Sequence, residues 1–127
     1  MIVADSDVLI DFLRGYGDGA RRVAEELASR SFATTSITAF ELRSGAHSPK
    51  QRKAVDTLLA AMTILPFRAE EAEIAADIRK DFDGRGQTIG MADFLIAAVC
   101  IANQAELLTR NVKHFARVKD LKLVLKV

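Results

Sequence analysis

Short apolar runs alternate along this chain with longer stretches that carry one apolar face, the pattern of buried strands separated by amphipathic helices. Met1–Asp5 reads as a short buried strand, after which Asp7 is placed to cap a helix over Val8–Leu13. Asp18–Arg30 puts Ala20, Val23, Ala24 and Leu27 on one helical face and turns Arg21, Arg22, Glu25 and Glu26 outward. Phe32–Thr35 is a second strand, followed by a helix from about Ile37 to Ala46 that ends near Gly45. His47–Lys50 forms a turn, and Pro49 suits the start of a helix running to about Met62.

Thr63–Leu65 is a third strand, stopped by Pro66, which has no N–H for a ladder. Ala69–Phe82 is amphipathic, with Ala75, Ile78 and Phe82 toward the core, and Asp83–Gly90 is a Gly-rich loop. Met91–Gln104 is apolar nearly all round and predicts a buried helix. Leu107–Thr109 is a fourth strand, and Leu121–Val127 alternates as an edge strand with one wet face. Strands alternating with helices imply an α/β domain with a parallel sheet covered by helices. Ligands in such folds bind outside the carboxyl ends of the strands.

Composition narrows the class. The 127 residues fit one domain spanning 1–127, half of them apolar and 28% charged, with seven Phe, one Tyr and no Trp. The core is therefore built mainly of Ala, Val, Ile and Leu. A net charge of +1 is neutral on nucleic acid, but Arg110, Lys113, Arg117, Lys119, Lys122 and Lys126 face only Asp120 in the C-terminal stretch. Cys100 stands alone in the apolar run Phe94–Ala102, which excludes a disulfide framework and a thiolate metal site and makes it a core residue. No signal-peptide pattern and no run of about 18 apolar residues is present, so a soluble, reducing, cytoplasmic setting fits.

Acids fall where the fold predicts a site. Asp5 ends the first strand and Asp7 lies just past it; Glu41 follows the second strand, Asp93 opens the buried helix, and Asn111 follows the fourth strand. Each has a structural alternative. Asp7 is a reasonable helix cap, Thr38-Ala39-Phe40-Glu41 has capping-box spacing, and Asp93 complements a helix dipole. Asp5, between Ala4 and Ser6, has no obvious capping role. Clustered carboxylates raise one another's pKa unless a cation compensates, and a hard divalent ion, Mg²⁺ or Mn²⁺, is the natural one. One or two such ions could activate a water, polarise a phosphodiester and stabilise the leaving oxygen. His47 and His114 lack ligand spacing and read as surface residues.

Four segments in order, "IVADSDVLIDFLRG", "TSITAFELRSGA", "GMADFLIAAVCIA" and "LLTRNVKHF", make the chain resemble a PIN domain of the VapC-type toxin ribonucleases. The resemblance implies a three-layer α/β/α sandwich with a central, mainly parallel sheet, and metal-dependent endonucleolytic cleavage of RNA. It implies a homodimer, and inhibition by a cognate VapB-like antitoxin whose tail enters the active-site groove. By position, Asp5, Glu41 and Asp93 correspond to the catalytic, metal-binding acids. Asp7 sits where relatives often carry Asn or Ser, and either adds a carboxylate or orients the site. Asn111 stands where many relatives have a fourth acid; an amide contributes no charge, so a tightly held second ion depends on Asp7. Thr109 could hydrogen-bond a ligand carboxylate, and Arg14, Arg43, Arg110 and Lys113 could meet RNA phosphates at the rim.

Two other readings compete. "DSDVL" matches the Asp-x-Asp start of haloacid-dehalogenase-type phosphatases, where one Asp is a nucleophile, but Glu41 then has no part. A PIN-like module that binds without cutting is the other, left open by Asn111.

Overall fold

A computed structural model of the chain describes residues 1–29 and 31–124. Strand β1 (Ile2–Ala4) leads without a loop into α1 (Ser6–Arg14), and α2 (Asp18–Ser29) precedes β2 (Phe32–Thr35). Helices α3 (Ser36–Ser44) and α4 (Pro49–Ala60) lead to β3 (Thr63–Leu65), and α5 (Ala69–Gly84) and α6 (Met91–Ala102) to β4 (Glu106–Leu108). A single turn of helix, α7 (Val112–Phe115), and β5 (Lys122–Leu123) follow.

The sheet has the order β3-β2-β1-β4-β5 and every pairing is parallel. Because successive strand residues point to opposite faces, neighbours in sequence enter different cores. Val3, Ala33 and Leu107 join α5 and α6 through Ala75, Ile78, Phe82, Phe94 and Ile96. Ala4, Phe32 and Leu108 join α1 to α4 through Val8, Leu9, Val23, Leu42, Val55 and Leu58. The result is the three-layer α/β/α sandwich that the resemblance implied. From β1 the chain winds outward through β2 and β3, and then returns to the other side of β1 with β4. The reversal falls between β1 and β4, and their carboxyl ends mark the crevice where such sheets bind ligands.

Several boundaries differ from the sequence reading, each for a local reason. Helix α1 begins before Val8 because Asp5, extended at φ −77° and ψ 163°, accepts the Ser6 N–H; Asp5, and not Asp7, is the cap. Helix α3 is capped by Thr35, whose hydroxyl accepts the Thr38 N–H at 3.0 Å, so Thr38 to Glu41 is no capping box. The reciprocal box lies instead at Ser48 and Gln51, starting α4. Helix α5 runs on to Gly84, α6 ends at Ala102, and β4 spans Glu106–Leu108 with Thr109 just beyond. Ala24 is exposed, and α7 was not foreseen. Arg30 and residues 125–127, which the sequence reading placed in a helix and a strand, lie outside the described residues. Cys100 is buried as expected, and burial pushes its thiol up to about 12. Among the described residues no helix is long and apolar enough to cross a membrane.

Helix α6 carries Asp93 and is held against α5 by Phe82 and Phe94, whose rings meet edge-on with centroids 5.4 Å apart. Phe82 has no exposed surface, and the guanidinium groups of Arg85 and Arg117 lie over its ring. Phe82→Ala is expected to cost about 3–5 kcal/mol, from lost burial and the cavity left behind. Denaturant unfolding checks this; a change under 1 kcal/mol would show that the α5–α6 layer collapses freely onto the gap.

Candidate active site

The site is assembled where β1 and β4 end side by side. The Asp5 N–H donates to the Leu108 carbonyl at 2.9 Å, carrying the β1–β4 ladder one residue past β1 and setting Asp5 beside Thr109. Both residues are buried. The Thr109 hydroxyl lies 2.8 Å from Asp5 Oδ2 and 3.2 Å from Asp7 Oδ2, and it accepts the Asn111 N–H at 3.0 Å. Its one proton serves both carboxylates. The other Asp5 oxygen, Oδ1, accepts the Ser6 N–H at 2.8 Å.

Asp7, in the first turn of α1, receives a second donor on Oδ2, the Arg110 N–H at 3.0 Å, while its Oδ1 is buried with no partner. Glu41 lies in the middle of α3, where its Oε1 is likewise buried and unpartnered. A capping role would have given that oxygen a backbone N–H. Asp93 sits in the first turn of α6 with Oδ2 3.7 Å from His114 Nδ1, and the Asn111 side-chain amide lies 2.8 Å from the same ring nitrogen.

The charges of these acids are felt across the cluster. Burial, with the repulsion of Asp7 next, raises the Asp5 pKa to about 7, while the Thr109 and Ser6 hydrogen bonds oppose the rise and Asp93 adds to it. Glu41 is raised by burial and by Asp93, against a hydrogen bond from Ser6. Asp93 is raised by burial and by Asp7, with His114 pulling the other way. Strand ends, α1, α3 and α6 thus bring Asp5, Asp7, Glu41 and Asp93 within one another's field.

Such a cluster suits a hard cation. Its donors are oxygens, two of them buried without a partner, and the repulsion among them is what a divalent charge would relieve. Among the described residues no group of three or more His, Cys, Asp or Glu side chains is gathered closely enough to hold a metal ion. An ion bound through fewer carboxylates would complete its shell with water, as Mg²⁺ commonly does.

The basic residues divide. Arg43 pairs with Asp56 on α4 at 2.6 Å, and Arg110 forks onto Asp11, with Nε 2.9 Å from Oδ2 and a terminal nitrogen 3.3 Å from Oδ1. Arg14 and Lys113 are exposed and carry no such partner among the described residues. Arg14 and Glu41 line a cleft of about 350 Å³ whose apolar wall includes Ile10, Leu13, Leu42 and Val55. Sequence reasoning passed over three participants. Ser6 was hidden beside the two acids. His114 stands three residues after Asn111, one turn away once α7 forms. Asp11 stands four residues after Asp7, a spacing that puts both on one helix face.

Comparison with known proteins agrees with this geometry. The PIN domain family model matches residues 2–121. Ribonuclease VapC10 of Mycobacterium tuberculosis is 32% identical over 122 residues, covering 96% of this chain and 91% of its own. Ribonuclease VapC2 of Rickettsia felis is 29% identical, covering 92% and 91%. Among solved structures, VapBC2 from Rickettsia felis bound to a DNA fragment from its promoter superposes with a TM-score of 0.86, at 28% identity and 98% coverage of both chains.

The raised Asp5 pKa fixes a pH dependence. Between an unfolded value near 3.9 and the folded value of about 7, the native state binds a proton that the unfolded chain has lost, so stability falls as pH rises. The loss is complete above pH 7 and amounts to roughly 4 kcal/mol. Asp5→Asn is expected to raise the melting temperature of metal-free protein at pH 8 and to leave it little changed at pH 4. Equal effects at the two values would refute the raised pKa.

Proposed function

The chain belongs to the PIN-domain family, and from that premise we propose that it is a VapC-type toxin, a metal-dependent endoribonuclease. The observation that carries this reading is the convergence of Asp5, Asp7, Glu41 and Asp93 on the β1–β4 crevice, with buried oxygens of Asp7 and Glu41 left unpartnered. Its relatives in sequence are ribonucleases by name, at high coverage of both chains. The phosphatase reading is not favoured, because Glu41 shares the field of Asp93 and so belongs to the cluster. Retention of the three core acids, Asp5, Glu41 and Asp93, also favours cleavage over binding alone.

Asp5, Glu41, Asp93 and Asp7 would hold Mg²⁺ or Mn²⁺. A bound cation of this kind neutralises the acids, polarises a phosphodiester and lowers the pKa of water. The chain's own part is to fix the donors. Thr109 and Ser6 tie both oxygens of Asp5, so its carboxylate cannot rotate away. Thr109 and Arg110 tie one oxygen of Asp7 and leave the other buried without a partner. Asn111 supplies an amide, engaged with His114, where a fourth charge is common, so Asp7 is the carboxylate that makes up the set. Arg14 and Lys113, exposed and without an ion pair among the described residues, would meet RNA phosphates, each as a positioning contact.

A VapB-like antitoxin partner follows from the same reading, since the Rickettsia felis structural relative is a VapBC complex. The cleft bounded by Arg14 and Glu41 is where its tail would enter. A homodimer and a cytoplasmic setting belong to the proposal too.

Purified protein free of any partner is expected to cleave RNA with Mg²⁺ or Mn²⁺ and to lose cleavage with chelator. Asp5→Ala and Asp93→Ala should each lower the rate by about 100-fold or more while the fold persists by circular dichroism. Metal-independent cleavage, or equal activity in these variants, would sink the enzymatic claim. The toxin claim is checked in cells: induction should arrest growth, and co-expression of the small protein encoded beside it should restore growth.

A further inference from the structure

Arg110 is the one residue of the β4–α7 turn that grips α1 twice. Its backbone N–H donates to Asp7 Oδ2 at 3.0 Å, and its guanidinium forks onto Asp11 at 2.9 and 3.3 Å. Asp7 and Asp11 are four residues apart on α1, so the two grips lie one helical turn apart, about 5.4 Å along the axis. Two contacts at that separation fix both the position and the tilt of the turn. The Asp11 side chain is 9% exposed and that of Arg110 is 53% exposed, so the acid is the sheltered partner of a pair that water reaches from one side.

The sheltering comes from the start of α2. Gly19 is buried against the Asp11 carboxylate so closely that an added methyl would stand 2.6 Å from Oδ2. At Gly17, whose φ of +92° suits glycine, an added Cβ would stand in ordinary contact with the same oxygen, at 3.4 Å. The chain therefore gives up a side chain at Gly19, where α2 closes over Asp11. A surface ion pair made only for stability gains little and needs no such seat. What this pair restrains is chemically specific. It holds the amide that occupies Asp7 Oδ2, and through that it directs the unpartnered Oδ1.

We infer that Asp11 and Arg110 are positioning residues that clamp the Thr109–Asn111 turn onto α1 and so orient Asp7 as the carboxylate replacing the acid absent at Asn111. Arg110 is then not a phosphate contact, because its guanidinium is committed to Asp11. The inference rests on the reading of the acids as a cation-dependent centre, but its mechanical half stands without any ion.

The experiment uses the full chain with Asp11→Asn, Arg110→Ala, Arg110→Lys, the Asp11→Asn/Arg110→Ala double variant, and Gly19→Ala. In metal-free protein, amide hydrogen exchange over residues 109–111 should accelerate by at least about tenfold in each variant, while exchange in β1 and α6 stays as in the wild type. Mn²⁺ affinity by calorimetry should fall roughly 10–100-fold, and kcat should fall while the KM for RNA holds. The double variant should be no worse than either single one, as for two groups that act as a unit. Arg110→Lys, which keeps charge but loses the fork, should lie between. Unchanged exchange over 109–111, or additive losses in the double variant, overturns the clamp. So does the signature of a phosphate contact: Arg110→Ala raising KM and flattening the salt dependence, with Asp11→Asn leaving both alone. If the wild type takes up no Mn²⁺ and cuts no RNA, the nuclease reading fails while the exchange result still decides the clamp.

Discussion

Carboxylates forced together away from water repel one another and resist ionisation, and much of this structure is arranged around that fact. Asp5 is pushed up to about 7 because it is buried beside Asp7. Without a positive partner, such a group weakens the fold at neutral pH. The donors around it offset only part of the penalty, since one Thr109 proton is divided between two acids. Under the proposed function, this charge imbalance is what a bound cation would settle, and the local loss of stability is the counterpart of affinity for that ion.

The parallel sheet supplies the rigidity that lets the imbalance persist. Asp5 and Thr109 follow directly from strands that are hydrogen-bonded to each other, so neither depends on a mobile loop. Apolar layers on both faces lock the strands: Val3 and Leu107 into one, Ala4 and Leu108 into the other. The α6 helix is apolar nearly all round because it must bury against the sheet while its first turn delivers Asp93. Phe94, the next residue, anchors that turn on Phe82. Function and core are thus adjacent in sequence at both places.

Much of this was legible beforehand because hydrophobic period and strand-end chemistry are local signals. Strand alternation gave the parallel sheet, and the placement of ligands outside the carboxyl ends of such strands singled out Asp5, Glu41 and Asp93. Capping was misassigned for a physical reason: β1 passes into α1 with no loop, and spacing cannot say which of two nearby Asp residues takes the extended conformation. The Thr38–Glu41 spacing misled for a similar reason, as Thr35 starts the helix one turn earlier. Asp11 and His114 were invisible because their meaning is in partners. The Asp11 partner, Arg110, is 99 residues away, and no periodicity encodes such a pairing. Of four basic residues expected at the rim, two proved engaged within the protein, a matter of side-chain reach that a sequence does not express.

The strand order has a further effect on timing. β1 pairs with β4, so Asp5 meets its Thr109 donor 104 residues further along the chain. A ribosome must pass Thr109 before the two halves of the crevice can touch. Until then the nascent chain holds Asp5, Glu41 and Asp93 but lacks the strand that sets the first of them in place. Translation interrupted before Thr109 consequently releases fragments without the finished crevice, so the site can form only once β4 has been made.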